Sequence, residues 1–123
     1  MSIESKVYSA LSGATALTAL VSSAIYPEHR MQADALPAVV FNRVSGLRVN
    51  SLSGYSNLEN ADVEVTVYAK TVDKRVAIGD AVINAMSLAT GLSVLLNDSP
   101  SDFYDDEVQV YERNFRFSVW NRE

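Results

Sequence analysis

The sequence predicts an α+β fold, one mainly antiparallel sheet with helices packed on its apolar face. Three patterns carry that prediction. First, Asp62 to Lys70 alternate strictly. Val63, Val65, Val67 and Ala69 point one way, and Asp62, Glu64, Thr66, Tyr68 and Lys70 point the other. A period of two with β-branched residues on one side is the pattern of a half-buried antiparallel strand. Second, the period changes from Val72 onward. Val76, Ile83 and Met86 recur at helical spacing beside a row formed by Ala77, Ala81 and Ala85, an amphipathic helix over about 72–88. Third, Ile3, Val7 and Leu11 stand at i, i+4 and i+8, and Ala14, Leu17 and Val21 continue the stripe, which gives an N-terminal helix.

The alternating strand sets its own register. A slip of one residue would move its three valines from core to water. Burying them stabilises the fold by roughly 1.5–3 kcal/mol each. At 123 residues, 48% hydrophobic and 20% charged, the chain reads as one domain over 1–123 with enough length to bury a core. The absence of cysteine excludes disulfides and thiolate metal sites. The net charge of −5 argues against non-specific binding of nucleic acid, which needs a basic surface.

Taken in order, the N-terminal helix places Glu4 in its positive first turn,. Ser12-Gly13 kinks it or splits it in two. Lys6 to Tyr26 faintly imitates a secretory signal, but Thr15, Thr18, Ser22 and Ser23 dilute the apolar run and Glu4 sits where a basic residue belongs,. The stretch is also too short and polar to span a membrane. Ile25-Tyr26-Pro27 is a short extended piece ended by the polar run Glu28–Asp34. Pro37 opens a strand over Ala38–Ser45, with Val40 and Val44 on one face and Val39, Phe41 and Arg43 on the other. Two apolar faces suit a central strand.

Gly46 to Asn60 holds two glycines, three asparagines and three serines. It joins two strands expected to be antiparallel neighbours, yet exceeds the usual hairpin loop. Either the strands extend as a β-arm or the tip is a mobile loop. Arg43 and Arg48 lie beside or within it, with no acidic residue before Glu59.

The helix over about 72–88 has Thr71 or Asp73 as its N-cap. Gly79 inside it costs about 1 kcal/mol relative to alanine, which close contact of its backbone with the sheet or a neighbouring subunit would offset. Gly91 suits a C-cap, and Leu92–Leu96 a short strand. Asn97–Glu107 carries Asp98, Asp102, Asp105, Asp106 and Glu107 with no basic residue, the composition of a solvated loop. In the last strand, Val108 to Trp120, Val108 and Val110 differ in parity from Tyr111, Phe115, Phe117 and Val119. A bulge near Glu112 would reconcile them. Phe115 and Phe117 then belong to the core, and Trp120 falls on the opposite face as a candidate interface anchor.

Catalytic constellations fail on inventory, so no catalytic, cofactor-binding or metal-ligating residue is assigned. The one histidine, His29, sits in a polar loop, where a solvated imidazole is the expected state. Gly54-Tyr55-Ser56-Asn57-Leu58 lacks the final glycine and the strand–helix setting of a nucleophile elbow. Asp98-Ser99-Pro100-Ser101-Asp102 has neither the glycine nor the ligand spacing of an EF-hand. A carboxylate-dependent hydrolase stays open as an alternative, although nothing singles out a pair of acids.

The order of elements is informative. Ile25-Tyr26-Pro27 precedes Ala35-Leu36-Pro37-Ala38-Val39-Val40-Phe41, and the alternating strand and alanine-rich helix follow. After the acidic Asp102-Phe103-Tyr104-Asp105, the chain closes on Tyr111-Glu112-Arg113-Asn114-Phe115-Arg116-Phe117-Ser118-Val119-Trp120. Over nearly its whole length the sequence resembles the tail-completion, or tail-terminator, proteins of long-tailed bacteriophages and gene-transfer particles. The resemblance implies an α+β fold without a catalytic motif or cofactor. It also implies a hexameric ring that caps the tail tube at the head-proximal end of the virion and joins it to the head connector. Assembly would take place in the host cytoplasm. The implied partners are further copies of the chain, the tail tube protein and the head–tail connector or stopper. DNA would pass through the lumen without specific binding, and no membrane is involved. A head–tail stopper or connector component is the alternative within the same class. On this reading Arg43, Arg48, Leu52, Tyr55, Leu58 and Trp120 are candidate subunit-interface residues. Asp98, Asp102, Asp105, Asp106 and Glu107 are candidates for the lumen wall.

Overall fold

The computed structural model describes residues 3–21, 24–27, 37–51, 54–89, 92–96, 100–106 and 109–122, with residues 45–51, 54–59 and 122 placed by their backbone. The chain runs α1 (Ile3–Ser12), α2 (Thr15–Val21), β1 (Ile25–Pro27), β2 (Ala38–Ser51), β3 (Gly54–Ala69), α3 (Val72–Ser87), β4 (Leu92–Leu96), β5 (Ser101–Asp105) and β6 (Val110–Arg122). One sheet takes all six strands in the order β1-β2-β3-β6-β4, with β5 also on β6. β1 pairs parallel to β2, and every other pairing is antiparallel. β4 lies against Phe117–Asn121 and β5 against Val110–Asn114. They are therefore two collinear pieces of one edge.

β3 occupies the middle, as its alternation requires. Val63, Val65, Val67 and Ala69 are buried, and Phe115, Phe117 and Val119 of β6 join them on the helix-covered face. Ile3, Val7 and Leu11 of α1, Leu17 and Val21 of α2, and Ile78, Val82 and Met86 of α3 close that core from above. Ser12-Gly13 does split the N-terminal segment into two helices. Buried Asn121 accepts a hydrogen bond from Lys6 Nζ, which ties α1 to the far end of β6.

α3 starts where expected, with the Thr71 hydroxyl accepting a hydrogen bond from the Lys74 N–H at 3.2 Å. Its buried stripe, however, is Ile78, Gly79, Ala81, Val82, Ala85 and Met86. Val76 and Ala77 are exposed, and Ile83 packs at the rim of the core. The helix is turned so that Gly79 meets the sheet. A Cβ there would stand 3.1 Å from Arg113 Cδ and 3.2 Å from Phe115 Cζ. Close approach to the sheet thus explains the glycine. Leu88 is the C-cap, its N–H donating to the Asn84 carbonyl at 3.2 Å. Gly91 lies outside the described residues, as does His29.

Three further expectations change. The β3–β6 register runs unbroken from Leu58↔Arg122 to Ala69↔Tyr111, so there is no bulge near Glu112. Val110 is buried although it shares the parity of Glu112 and Asn114. The irregularity sits in β2 instead, where Val44 is skipped between Arg43↔Val63 and Ser45↔Asp62. Val44, at the shift, is 44% exposed while Val40 is buried. The stretch Gly46–Asn60 takes the β-arm alternative. β2 and β3 stay paired out to Ser51↔Gly54, with a second register shift between Val49 and Asn50. Finally, the acidic segment is not all loop, since Ser101–Asp105 forms β5.

The faces of β3 give a direct stability test. Val65→Lys places an unpaired charge in the core and should destabilise by about 4 kcal/mol or more in thermal unfolding. Thr66→Lys should lose only about 1 kcal/mol, because it removes the hydrogen bond that Thr66 Oγ1 accepts from Asn114 Nδ2,. Equal losses would mean that the faces are reversed.

Candidate interaction surface

Three surfaces lie outside the helix-covered core. The first is the other face of the sheet, lined by the even-numbered residues of β3 and β6. Cross-strand polar pairs link its strands. Asn60 Nδ2 donates to Ser118 Oγ at 3.0 Å, Asn114 Nδ2 donates to Thr66 Oγ1 at 2.9 Å, and Arg116 Nη2 lies 3.7 Å from Glu64 Oε2. Such pairs each contribute roughly 0.2–1 kcal/mol. Trp120 stands on this face beside Asn60 and Ser93, 40% exposed, as its parity in β6 requires.

The second surface is the β4–β5 edge. Leu95 is 67% exposed and Phe103 59%, with Leu96 and Tyr104 beside them. On its helix side, register puts Asp102 opposite Arg113. Arg113 Nε and Nη2 donate to the two Asp102 oxygens at 2.7 and 3.0 Å, and Arg75 Nη2 lies 3.6 Å from Oδ2. The Arg75 guanidinium also sits 5.4 Å over the Tyr111 ring, and Tyr104 packs on Tyr111 at 4.6 Å between centroids,. The hydrogen bonds from Arg113 hold the Asp102 carboxyl below its ordinary range. Partial burial opposes them, and the nearby charges of Arg113 and Arg75 assist. Asp102 is therefore a paired acid that pins the edge strand to α3. Its side chain nevertheless stays 38% exposed, as expected for an acid of a solvated segment. Asp105 and Asp106 are exposed at the end of β5, and Asp98 and Glu107 lie outside the described residues.

The third surface is the opposite edge, where α1 and β1 frame a shallow groove of about 590 Å³. Glu4, Tyr8, Ile25, Pro27 and Phe41 line it. Arg43 reaches across to Glu4, Nη1 to Oε1, at 3.4 Å. Arg48 lies opposite Glu59 in the hairpin, Tyr55 opposite Asn50, and Leu58 between Val49 and Arg122. Leu52 lies outside the described residues. The sequence-predicted interface residues are thus spread over the hairpin and the open face, and no single patch gathers them. Arg75, Arg113 and Tyr8 were missed by sequence reasoning. The signal for Arg113 was present, since it shares the parity of Phe115 and so lies on the helix side.

Among the described residues no group of histidines or acids is placed to hold a metal ion. No described helix is long and apolar enough to cross a membrane. What the surfaces offer is two unlike sheet edges and a projecting hairpin, features of assembly. Comparison with known families agrees, because residues 5–122 match the model of the tail completion protein gp17. The chain belongs to the tail completion protein gp17 family. It is accordingly a structural protein of the phage tail and a virion component. The fold is similar to that of a chain in the virion of a native gene transfer agent particle. The TM-score is 0.74 at 18% sequence identity, covering 96% of this chain and 92% of that one. No curated protein sequence matches it.

The Asp102 clamp has a pH signature. A carboxyl held below its unfolded value adds stability that is present above that value and fades as pH falls through the folded one. The ordinary value is 3.8, so the window lies below about pH 4. Asp102→Asn should be less stable than the native chain near pH 7, by less than about 1 kcal/mol because the pair is solvent-screened. The difference should vanish in the acid limb of a urea-unfolding series. A gap that stays constant down to pH 2 would show that the charge of Asp102 contributes nothing.

Proposed function

We propose that this chain forms a hexameric ring that terminates the tail tube and joins it to the head connector. The observation that carries the reading is the family match across almost the whole chain. The geometry supports it. A ring needs each subunit to present two different surfaces to its neighbours, and the sheet has one edge at β1–β2 and an unlike one at β4–β5.

The hairpin is the element that reaches outward. β6 ends at Arg122 opposite Leu58. Among the described residues, the pairs Asn50↔Tyr55 and Ser51↔Gly54 beyond it have no third strand. Its tip, including Leu52 and Tyr55, contacts the adjoining tube protein or the neighbouring subunit, and Leu58, Arg48 and Arg43 lie along the stem. Trp120 is a contact on the open sheet face. The genome passes through the lumen, where basic residues would hold phosphates and slow it. The acids proposed for the lumen wall are Asp98, Asp102, Asp105, Asp106 and Glu107, with Asp102 also paired to Arg113. The particle is assembled in the host cytoplasm, and the ring sits at the head-proximal end of the tail.

Shortening Ser51–Ser56 to a two-residue turn tests the arm. The variant should melt within a few degrees of the native chain, because the removed pairs lie outside the three-stranded part of the sheet. In a particle supplied only with the variant, joined head–tail particles in electron micrographs should fall at least tenfold. Normal yields would rule out the arm as an assembly element.

A further inference from the structure

We propose that the outer edge of β2 in one copy pairs antiparallel with the β4–β5 edge of the next. The sheet would then run on from subunit to subunit around the ring. This inference rests on the ring reading and names the surfaces that close it.

Among the described residues, β1 covers β2 only at Val39–Phe41, so the outer edge from Asn42 to Ser51 carries no strand. Among the described residues the outer edge of β4–β5 carries none either. Unpaired edges are templates for strand addition. The two are matched in length: ten residues on β2, and two collinear pieces opposite the twelve positions Val110–Asn121 on the other side.

Strand sense gives the second argument. β1, β2 and β6 run one way, and β3, β4 and β5 run the other. Copies related by rotation about an axis along the strands keep every strand's sense. The β4–β5 edge of one copy therefore meets β2 of the next in the antiparallel sense, the commoner and slightly more stable pairing. Two copies joined through the same edge would bury it in an isologous dimer and leave the other edge open.

Charge and side-chain character agree. β2 carries Arg43 and Arg48 and no acid, whereas β4 and β5 carry Asp102 and Asp105 and no base, and a junction that opens on the lumen lets these two acids border both. Unlike charges across a junction select partner and register. Leu95 and Phe103 are the large apolar side chains left most open on β4 and β5, and Val44 is open on β2.

The lack of native cysteine makes the test clean. Chains carrying one cysteine on β2 (Asn42→Cys, Val44→Cys or Arg48→Cys) and one on the other edge (Leu95→Cys or Phe103→Cys) are assembled into particles. They are then treated with a short bis-maleimide. At least one pairing should give a ladder of covalent oligomers at least tenfold stronger than either single-cysteine chain gives. In the unmodified protein, amides of β4 and β5 should exchange at least tenfold more slowly in the particle than in the free chain. Particles that hold a ring of this chain, but give no ladder and no added protection, would overturn the junction and leave the ring standing. Particles in which the chain forms no ring would overturn the proposed function, and the junction with it.

Discussion

The structure depends on β3 being paired on both sides while its valine face lies under the helices. β2 and β6 flank it in long ladders, unbroken on the β6 side and shifted in register at Val44 and after Val49 on the β2 side. Val63, Val65 and Val67 then form the floor on which α1, α2 and α3 rest. Every other placement follows from that floor. α3 must come close enough to seal it, which is why Gly79 sits where a Cβ would press on Phe115 and Arg113. α1 is fixed at both ends of the sheet, by Glu4 to Arg43 on the β2 side and Lys6 to Asn121 on the β6 side. With the helices all on one face, the other face and both edges are left for contacts with other molecules.

That asymmetry connects the fold to assembly. The helix-covered face holds the stability, mostly hydrophobic and non-directional. The open face is crossed by polar pairs between β3 and β6. The β5 edge is held by a different device. All five of its residues are exposed, so burial does little for it, and the Asp102 clamp to Arg113 and Arg75 with the Tyr104–Tyr111 contact does more. A strand held chiefly by such contacts can adjust when a neighbour pairs with it, at modest cost in local structure.

Much of the fold was legible in the sequence because period reports burial directly. The β3 alternation, the break at Ser12-Gly13, the Thr71 cap and the Phe115/Phe117 face all follow from local chemistry and spacing. What was not legible depended on partners distant in sequence. The α3 stripe rotated away from Val76 and Ala77 because Gly79 had to meet Phe115 and Arg113, some thirty-five residues on. The bulge fell at Val44 because β2 must match β3, whereas the parity change near Val110 needed none. The acidic segment read as loop because its pairing partner Arg113 lies eleven residues away, beyond any local pattern. The candidate interface fared likewise. Composition marked Arg43, Arg48 and the acids, but strand order alone showed that they belong to opposite edges of one sheet.

The proposed role makes this chain the ring at the top of the tail. Reconstruction of the intact particle by cryo-electron microscopy, with a density tag fused to the C-terminus, tests it most directly. One six-fold ring of tagged subunits is expected between the last ring of tube protein and the head connector, with the sheet fold fitting each subunit. Tag density within the connector, along the tube, or as a twofold pair would contradict it.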